Sequence, residues 1–188
     1  MTVPSALNRR CHIASVWRIT LLAIATVILN WNNADSTIIC ARTALAAMTR
    51  LGASYDLQLY VVDNGSNKQN LDKLAHWCGR QPLNLVKFVA NESNLGFARG
   101  MNSGIAKASP QNPDFFFLLN NDLRIDSEAI LRLVEHSKND HRRSMTGLTV
   151  LDYKTGSAQS VRGYRYYPLL GYSKPLKGSA DLNKTIAT

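Results

Sequence analysis

Three polar clusters carry side chains capable of chemistry, and each one directly follows a run of apolar residues. The clusters are Asn30-Trp31-Asn32, Asp63-Asn64-Gly65-Ser66 and Asn120-Asn121-Asp122. The carboxylate of Asp63, placed where an apolar run meets a glycine turn, suits hydrogen bonds from ribose hydroxyls or from a base N–H. The alternative is that this carboxylate only accepts hydrogen bonds from the backbone of its own turn.

The third cluster combines two amides with one acid. Hard divalent cations take oxygen ligands, and Mg²⁺ or Mn²⁺ usually connects one or two carboxylates to substrate phosphates. Asp122 would supply the negative charge of such a site, and Asn120 would supply a neutral carbonyl oxygen. An asparagine-rich turn in which Asp122 bonds the next helix is the alternative.

A glycine-rich segment precedes this cluster. Gly96, Gly100 and Gly104 recur every four residues, so they would share one face of a helix. Because glycine destabilises a helix by up to about 1 kcal/mol relative to alanine, something must approach this face closely. That neighbour is either a packed strand or a nucleotide. The segment differs from the GxGxxG fingerprint of dinucleotide-binding proteins, and the sequence contains no Walker A loop.

The elements that must position these residues alternate between strand and helix. Apolar runs predict strands at 20–30, 57–62, 83–89, 115–119 and 149–151, and helical spacing predicts helices at 35–51, 70–78, 96–108 and 127–136. The run at 115–119 is apolar at every position, which indicates a strand buried on both faces. The alternation predicts an α/β fold, a mostly parallel sheet with helices on both faces. At its carboxyl edge the polar clusters would meet, with Asp63 and Asp122 facing one groove.

Length and composition exclude several classes of protein. The 188 residues are 45% hydrophobic and 19% charged, which excludes collagen, coiled coils and a wholly disordered chain, and fits one main domain. The longest apolar run, 19–29, is shorter than the roughly 20 residues of a membrane span. Three cysteines without a CxxC pair make no disulfide framework, so we expect a cytoplasmic protein.

The net charge of +9 is concentrated at the two ends of the chain. Residues 1–34 contain three arginines and no acid, and residues 136–188 contain nine basic and three acidic residues. A nucleic-acid reader carries its basic patch on the folded body, so this distribution disfavours nucleic acid and leaves an anionic membrane surface open. We expect residues 1–18 to be a disordered basic extension, with a targeting segment as the alternative, and 166–188 to be an irregular basic tail.

Taken together, the clusters resemble glycosyltransferase family 2, whose members bind nucleotide-sugars with a Rossmann-like GT-A fold. The matching segments, in the family's order and spacing, are 27–32 (VILNWN), 61–66 (VVDNGS), 94–105 (NLGFARGMNSGI) and 118–122 (LLNND). The last segment occupies the family's metal-binding DxD position, and its N-N-D form looks most like the rhamnosyltransferase-type branch. The resemblance implies a nucleotide-sugar-binding domain at 19–165.

The resemblance implies roles for individual residues. Asp63 and the loop Asn30-Trp31-Asn32 would hold the base and ribose of a nucleotide-diphosphate sugar. Asp122, with Asn120 nearby, would place Mg²⁺ or Mn²⁺ on the diphosphate. Asn94 and the glycine-rich helix would shape the sugar side. The remaining residues expected to bind the nucleotide-sugar are Gly96, Arg99, Asn102, Asn120 and Asn121.

The same resemblance implies an inverting, metal-assisted glycosyltransferase, or its N-terminal donor-binding part, that acts on a glycan or lipid-linked acceptor. Inverting members use a later carboxylate as general base, usually within an E-D pair, and no acid after Asp122 stands in such a pair. We therefore name no catalytic base and expect a chain truncated at its C-terminus. The alternative is an inactive nucleotide-sugar-binding module. Exposed sheet edges would also favour a homo-oligomer.

Overall fold

The computed structural model describes residues 21–139, 145–160, 164–167 and 172–175. Its main element is a four-stranded parallel sheet in the order β3-β2-β1-β4. The strands are β1 (Leu22–Asn30), β2 (Tyr55–Asn64), β3 (Val86–Asn91) and β4 (Phe115–Asn120). The helices are α1 (Ala34–Leu51), α2 (Lys68–Gly79), α3 (Phe97–Ala108) and α4 (Ser127–Asn139). The predicted α/β class and the alternation of strands with helices are confirmed.

Two short antiparallel pairs of strands follow the main sheet along the chain. They are β5 (Val150–Leu151) with β6 (Ala158–Ser160), and β7 (Tyr164–Tyr167) with β8 (Tyr172–Pro175). Neither pair joins the main sheet within the described residues. The predicted basic extension at 1–18 and most of the predicted tail at 166–188 lie outside those residues, so the domain boundaries stay predictions.

Helices cover both faces of the sheet, as predicted. On one face, Ile24 and Ile28 of β1 pack in a cluster with residues of α1, α2 and α4. On the other face, Ala25 and Val27 of β1 pack with Met101 of α3. The two inner strands of the sheet, β1 and β2, are both largely buried between these layers. The loops that follow their carboxyl ends therefore begin in the core.

Two strand ends differ from the predictions. β2 continues through Asp63 to Asn64, two residues beyond its predicted end, because both residues pair with the end of β3. β3 begins at Val86 rather than at residue 83, because the N–H of Val86 donates to the carbonyl of Pro82 and completes a turn there. The extension of β2 matters for the site, since it moves Asp63 from a predicted turn into the sheet.

The burial predicted for 115–119 is wrong. Within the described residues β4 pairs with β1 alone, so it lies at the edge of the sheet. Phe115 and Phe117 pack into the core beneath the helices, whereas Phe116 and Leu118 on the opposite face are 40% and 48% exposed. The physical reason is that α3 packs on β1, β2 and β3. A run in which every residue is apolar does not reveal whether helices cover one face of the strand or both.

Candidate functional site

The carboxyl ends of the four strands bring the three predicted clusters to one edge of the sheet. In the register of the sheet Asn30 pairs with Asp63, and Leu29 pairs with Asn120. On the other side of β2, Asn64 pairs with Asn91. The polar residues of all four strand ends therefore lie side by side, although the sequence separates them by up to ninety positions. The predicted convergence is present in the structure.

Asp63 does not face an open groove, and this part of the prediction is wrong. The residue is fully buried. One carboxylate oxygen accepts from Asn30 Nδ2 at 2.8 Å, and the other accepts from the backbone N–H of Ser66 at 2.9 Å. Asn30 is equally buried, and its amide also donates to Ser66 Oγ at 3.1 Å. Both side chains bond to neighbouring loops, as in the alternative interpretation of Asp63, so they support the site from beneath.

The loop after β1 is held in place by that pair. Ser66 Oγ accepts from the backbone N–H of Asn32 at 2.8 Å, and Asn32 Oδ1 accepts from the backbone N–H of Asn67 at 2.7 Å. Asn32 has a left-handed backbone with φ 52°, which asparagine tolerates better than most residues. Trp31 precedes it and is 55% exposed. The structure thus presents an indole ring and an amide at the rim, on a loop held by these hydrogen bonds.

Asn64, which is not among the predicted site residues, organises the loop before α3. Its Nδ2 donates to Asn94 Oδ1 at 2.9 Å and to the carbonyl of Gly96 at 3.2 Å. Its Oδ1 accepts from Asn91 Nδ2 at 3.1 Å and from the backbone N–H of Leu95 at 3.2 Å. A buried amide can make four such bonds, and Asn64 makes all four. The only sequence signal was an asparagine beside Asp63.

Gly100 and Gly104 of α3 face the sheet. Of the two close neighbours that the glycine spacing allowed, a packed strand and a nucleotide, the structure therefore shows the packed strand. A Cβ at Gly104 would lie 2.5 Å from Val27 Cγ1 and 2.8 Å from Val62 Cγ2. A Cβ at Gly100 would lie 3.0 Å from the amide of Asn64. These glycines let α3 lie directly on β1 and β2.

The exposed side of α3 faces away from those glycines. The N-cap Gly96 has a positive φ of 78°, and nothing lies within 4 Å of where its Cβ would be. Arg99 and Asn102 are exposed on α3, and Asn94 is exposed on the loop that leads into the helix. These polar groups are therefore accessible to a ligand at the rim.

A turn follows β4 and carries the third cluster. The carbonyl of Asn120 accepts from Cys40 Sγ and from the backbone N–H of Leu123, both at 3.4 Å. Asn121 Nδ2 donates to Thr37 Oγ1 of α1 at 3.0 Å. Asp122 is exposed. Burial raises the pKa of the Cys40 thiol to about 12, and the negative charge of Asp122 adds to the rise.

The side chains of the third cluster suit a metal ion that is coordinated partly by the protein and partly by a substrate. Those described do not suit a metal ion coordinated by protein side chains alone. Within the described residues no three His, Cys, Asp or Glu side chains come together as ligands. Asp122 and Asn120 are exposed neighbours with a carboxylate and an amide oxygen. Mg²⁺ commonly takes one or two carboxylates and completes its shell with substrate phosphates and water. Asp122 and Asn120 match the protein part of such a mixed coordination shell.

Comparison with known proteins assigns the chain to a family. The family model for glycosyl transferase family 2 matches residues 26–187. The match takes in most of the 188 residues, so the chain belongs to this family. Among curated proteins, no sequence matches the chain. The finer prediction of a rhamnosyltransferase-type branch stays a prediction.

The fold is similar to that of Staphylococcus aureus TarS residues 1–349, solved alone, with UDP-GlcNAc and with UDP. Each comparison gives a TM-score of 0.53 at 18% sequence identity over 74% of this chain. The chain spans 39% of the TarS chain solved alone or with UDP and 38% of the chain solved with UDP-GlcNAc. The predicted GT-A-like fold is thereby confirmed.

In the part of the chain that the structure describes, no helix is long and apolar enough to cross a membrane.

Proposed function

We propose that the carboxyl edge of the sheet binds a nucleotide-diphosphate sugar, and that the chain is a glycosyltransferase or the donor-binding part of one. The observation that carries the proposal is the meeting of three loops at one edge, fixed by the hydrogen bonds of Asn30, Asp63 and Asn64. Membership of glycosyl transferase family 2 supports it. So does the similarity of fold to TarS, which was solved with UDP-GlcNAc and with UDP.

The base and ribose would lie against the loop after β1. Trp31 and Asn32 are exposed there, whereas Asn30 and Asp63 are buried beneath. We assign direct contact to the exposed pair and a supporting role to the buried pair. Stacking of a base on an exposed indole is worth about 1–3 kcal/mol and accepts any base. Trp31 would therefore contribute affinity, and the amide of Asn32 would contribute hydrogen bonds.

The diphosphate and the sugar would lie between α3 and the turn after β4. Arg99 is the exposed cation on the first turn of α3, suited to a phosphate oxygen. Asp122 and the side chain of Asn120 would hold Mg²⁺ or Mn²⁺, which supplies neutralisation of the charge on the leaving nucleoside diphosphate. The remaining proposed contacts on the sugar side are Asn94, Gly96, Asn102 and Asn121.

A donor site of this kind is compatible with two activities. The first is inverting transfer of the sugar to a glycan or lipid-linked acceptor, and the second is donor binding without turnover. Among the carboxylates after Asp122 that the structure describes, three have hydrogen-bond or ion-pair partners of their own, which favours the second. Asp126 accepts from the N–H of Ala129 at the start of α4, and Glu128 pairs with Arg132 at 3.0 Å. Asp152 accepts from backbone N–H groups of its own turn. We therefore assign the role of general base to none of these three carboxylates.

Calorimetric titration of the chain with UDP, GDP and dTDP, each with and without Mn²⁺, tests the proposed binding. We expect saturable binding of at least one nucleoside diphosphate, strengthened by Mn²⁺. Absence of binding to all three under both conditions would overturn the proposal. Release of UDP from UDP-GlcNAc over time then separates an enzyme from a binding module, and we expect little or none.

A further inference from the structure

Thr37 is a fully buried residue in the first turns of α1, and its hydroxyl connects two of the loops at the carboxyl edge. The Oγ1 donates to Asn30 Oδ1 at 2.7 Å, with the carbonyl of Asn33 as a second acceptor at 2.9 Å. The same oxygen accepts from Asn121 Nδ2 at 3.0 Å. A hydroxyl has one proton to donate and two lone pairs to accept with, so the donation to Asn30 and the acceptance from Asn121 can coexist.

These bonds complete a continuous chain between the proposed metal side and the proposed nucleotide side. From Thr37 the chain continues through the amide of Asn30 to Asp63 Oδ2 and to Ser66 Oγ. Ser66 Oγ in turn accepts from the backbone N–H of Asn32. Thr37 is the point at which the turn after β4 joins this chain, because it is the partner of Asn121.

The contact with Thr37 is the shortest hydrogen bond that the described residues give to the turn outside the strand ladder. The two others, from Cys40 Sγ and from Leu123 N–H to the carbonyl of Asn120, are both 3.4 Å long. A thiol is a weak donor, and a backbone bond of that length is weak. The 3.0 Å bond from Asn121 to Thr37 is therefore the strongest side-chain constraint on the turn among the described residues.

We propose that Thr37 is a positioning residue that fixes Asn121, and with it Asp122, relative to the nucleotide loop. This inference rests on the proposed function, because it concerns how a metal on Asp122 reaches the diphosphate of a nucleotide bound at Trp31. The strength of metal-assisted binding depends on both partners being held in one geometry before they meet. Thr37 supplies that geometry without touching either ligand.

Calorimetry of four forms of the full chain tests the inference: wild type, Thr37→Val, Thr37→Ser and Thr49→Val. The measured quantity is the ratio of the UDP dissociation constants without and with Mn²⁺. Valine has the shape of threonine and lacks the oxygen, whereas serine keeps the oxygen and lacks the methyl. Thr49 is the matched control, because it is an exposed threonine of α1 whose hydroxyl, among the described residues, bonds the carbonyl of Leu45 alone, within its own helix.

We expect the ratio of UDP dissociation constants without and with Mn²⁺ to be about fivefold to tenfold smaller in Thr37→Val than in wild type. A change of this size corresponds to the loss of one good hydrogen bond. Thr37→Ser and Thr49→Val should keep the wild-type ratio. All forms are compared at a temperature where circular dichroism shows them folded. Hydrogen exchange in the protein without ligand should show faster exchange at the amides of 121–123 in Thr37→Val and not in Thr37→Ser.

A wild-type ratio in Thr37→Val would overturn the inference and leave the proposed function standing. A loss of equal size in Thr37→Ser would also overturn it, because the methyl group and its packing, and not the hydroxyl, would then be responsible. If the wild-type chain binds none of UDP, GDP and dTDP under either condition, the proposed function fails and the inference fails with it. If it binds GDP or dTDP and not UDP, the same ratio is measured with that nucleotide. Unchanged exchange at 121–123 in Thr37→Val would count against the positioning role directly.

Discussion

Asp63 and Asn64 stand side by side at the end of β2, and each one fixes a different loop of the candidate site. Asp63 bonds Asn30 and the backbone of Ser66, and so holds the loop after β1. Asn64 points to the other side of the sheet and holds Asn94 before α3. Successive residues of a strand point to opposite faces, which is why one strand end can serve both loops.

At Asn64 we predict that the conservative substitution Asn64→Asp destabilises the protein. The aspartate would keep an acceptor for Asn91 and lose both donors to Asn94 and Gly96, in a buried place. The free energy of unfolding should fall by about 1–3 kcal/mol, measured by urea denaturation. Asn84→Asp is the matched control, since Asn84 is exposed, and its stability should change little. Equal stabilities of the two variants would refute the role assigned to Asn64.

At Asp122 we predict that Asp122→Asn removes the enhancement of UDP binding by Mn²⁺. The substitution keeps the size of the side chain and removes the charge that a divalent cation needs. UDP affinity measured by calorimetry should become nearly independent of Mn²⁺. The control is Asp72→Asn on α2, an exposed carboxylate paired with Lys68. Undiminished dependence on Mn²⁺ in Asp122→Asn would show that the metal binds elsewhere.

At the scale of elements, the contact of α3 with the sheet depends on Gly104. A Cβ there would approach both Val27 and Val62 more closely than real Cβ atoms do. We predict that Gly104→Ala lowers the free energy of unfolding by about 1–3 kcal/mol through overpacking, although alanine is the better helix former. Urea denaturation of the variant measures the change.

Gly79→Ala is the control for that experiment, because Gly79 ends α2 and nothing lies within 4 Å of where its Cβ would be. We expect this variant to be as stable as wild type or slightly more so, owing to the helix propensity of alanine. A Gly104→Ala variant as stable as Gly79→Ala would mean that α3 moves freely over the sheet, which contradicts the packing described above.

Sequence periodicity was sufficient to predict the strands and helices of the main sheet, because each has an apolar pattern of its own. It failed at β4, where Phe116 and Leu118 are exposed although their neighbours in the run are not. Burial of a strand face depends on which helix crosses it. No local pattern records that α3 packs on the other three strands.

The sequence predicted which loops meet at the carboxyl edge of the sheet. It did not predict which side chains form hydrogen bonds with each other there. The burial of Asp63 follows from its bond to Asn30, thirty-three positions earlier, which only the register of β1 and β2 creates. Thr37 and Asn64 were missed for the same reason. A threonine four residues after Asn33 and an asparagine before Gly65 are ordinary cap and turn residues until their partners are known.

At the scale of the whole molecule, two buried thiols couple stability to alkaline pH. Burial raises the pKa of Cys40 and of Cys78 from 9.0 to about 12. As the pH rises above 9, the unfolded chain loses thiol protons that the folded chain keeps, so folding becomes less favourable. We predict that the urea midpoint falls between pH 8 and pH 10.5, and falls less in a Cys40→Ala, Cys78→Ala variant. An identical fall in the variant would remove the thiols as the cause.

The two ends of the parallel strands form unlike edges of the sheet, and we propose a function for one of them. The carboxyl edge carries exposed Trp31, Asn94 and Asp122 on loops fixed from beneath. At the amino edge, Asp114 instead accepts from the backbone N–H of Ala23 and secures the start of β1. A ligand that binds as proposed must therefore affect one edge and leave the other unchanged.

Amide hydrogen exchange of the full chain, measured with and without UDP and Mn²⁺, tests whether the nucleotide binds at the carboxyl edge. We expect slower exchange in three loops together, at 31–33, 94–96 and 121–123, and unchanged exchange at the amino edge, at 55–58 and 113–115. Protection at the amino edge alone, or in none of the three loops while UDP is bound, would show that the nucleotide does not bind at the carboxyl edge.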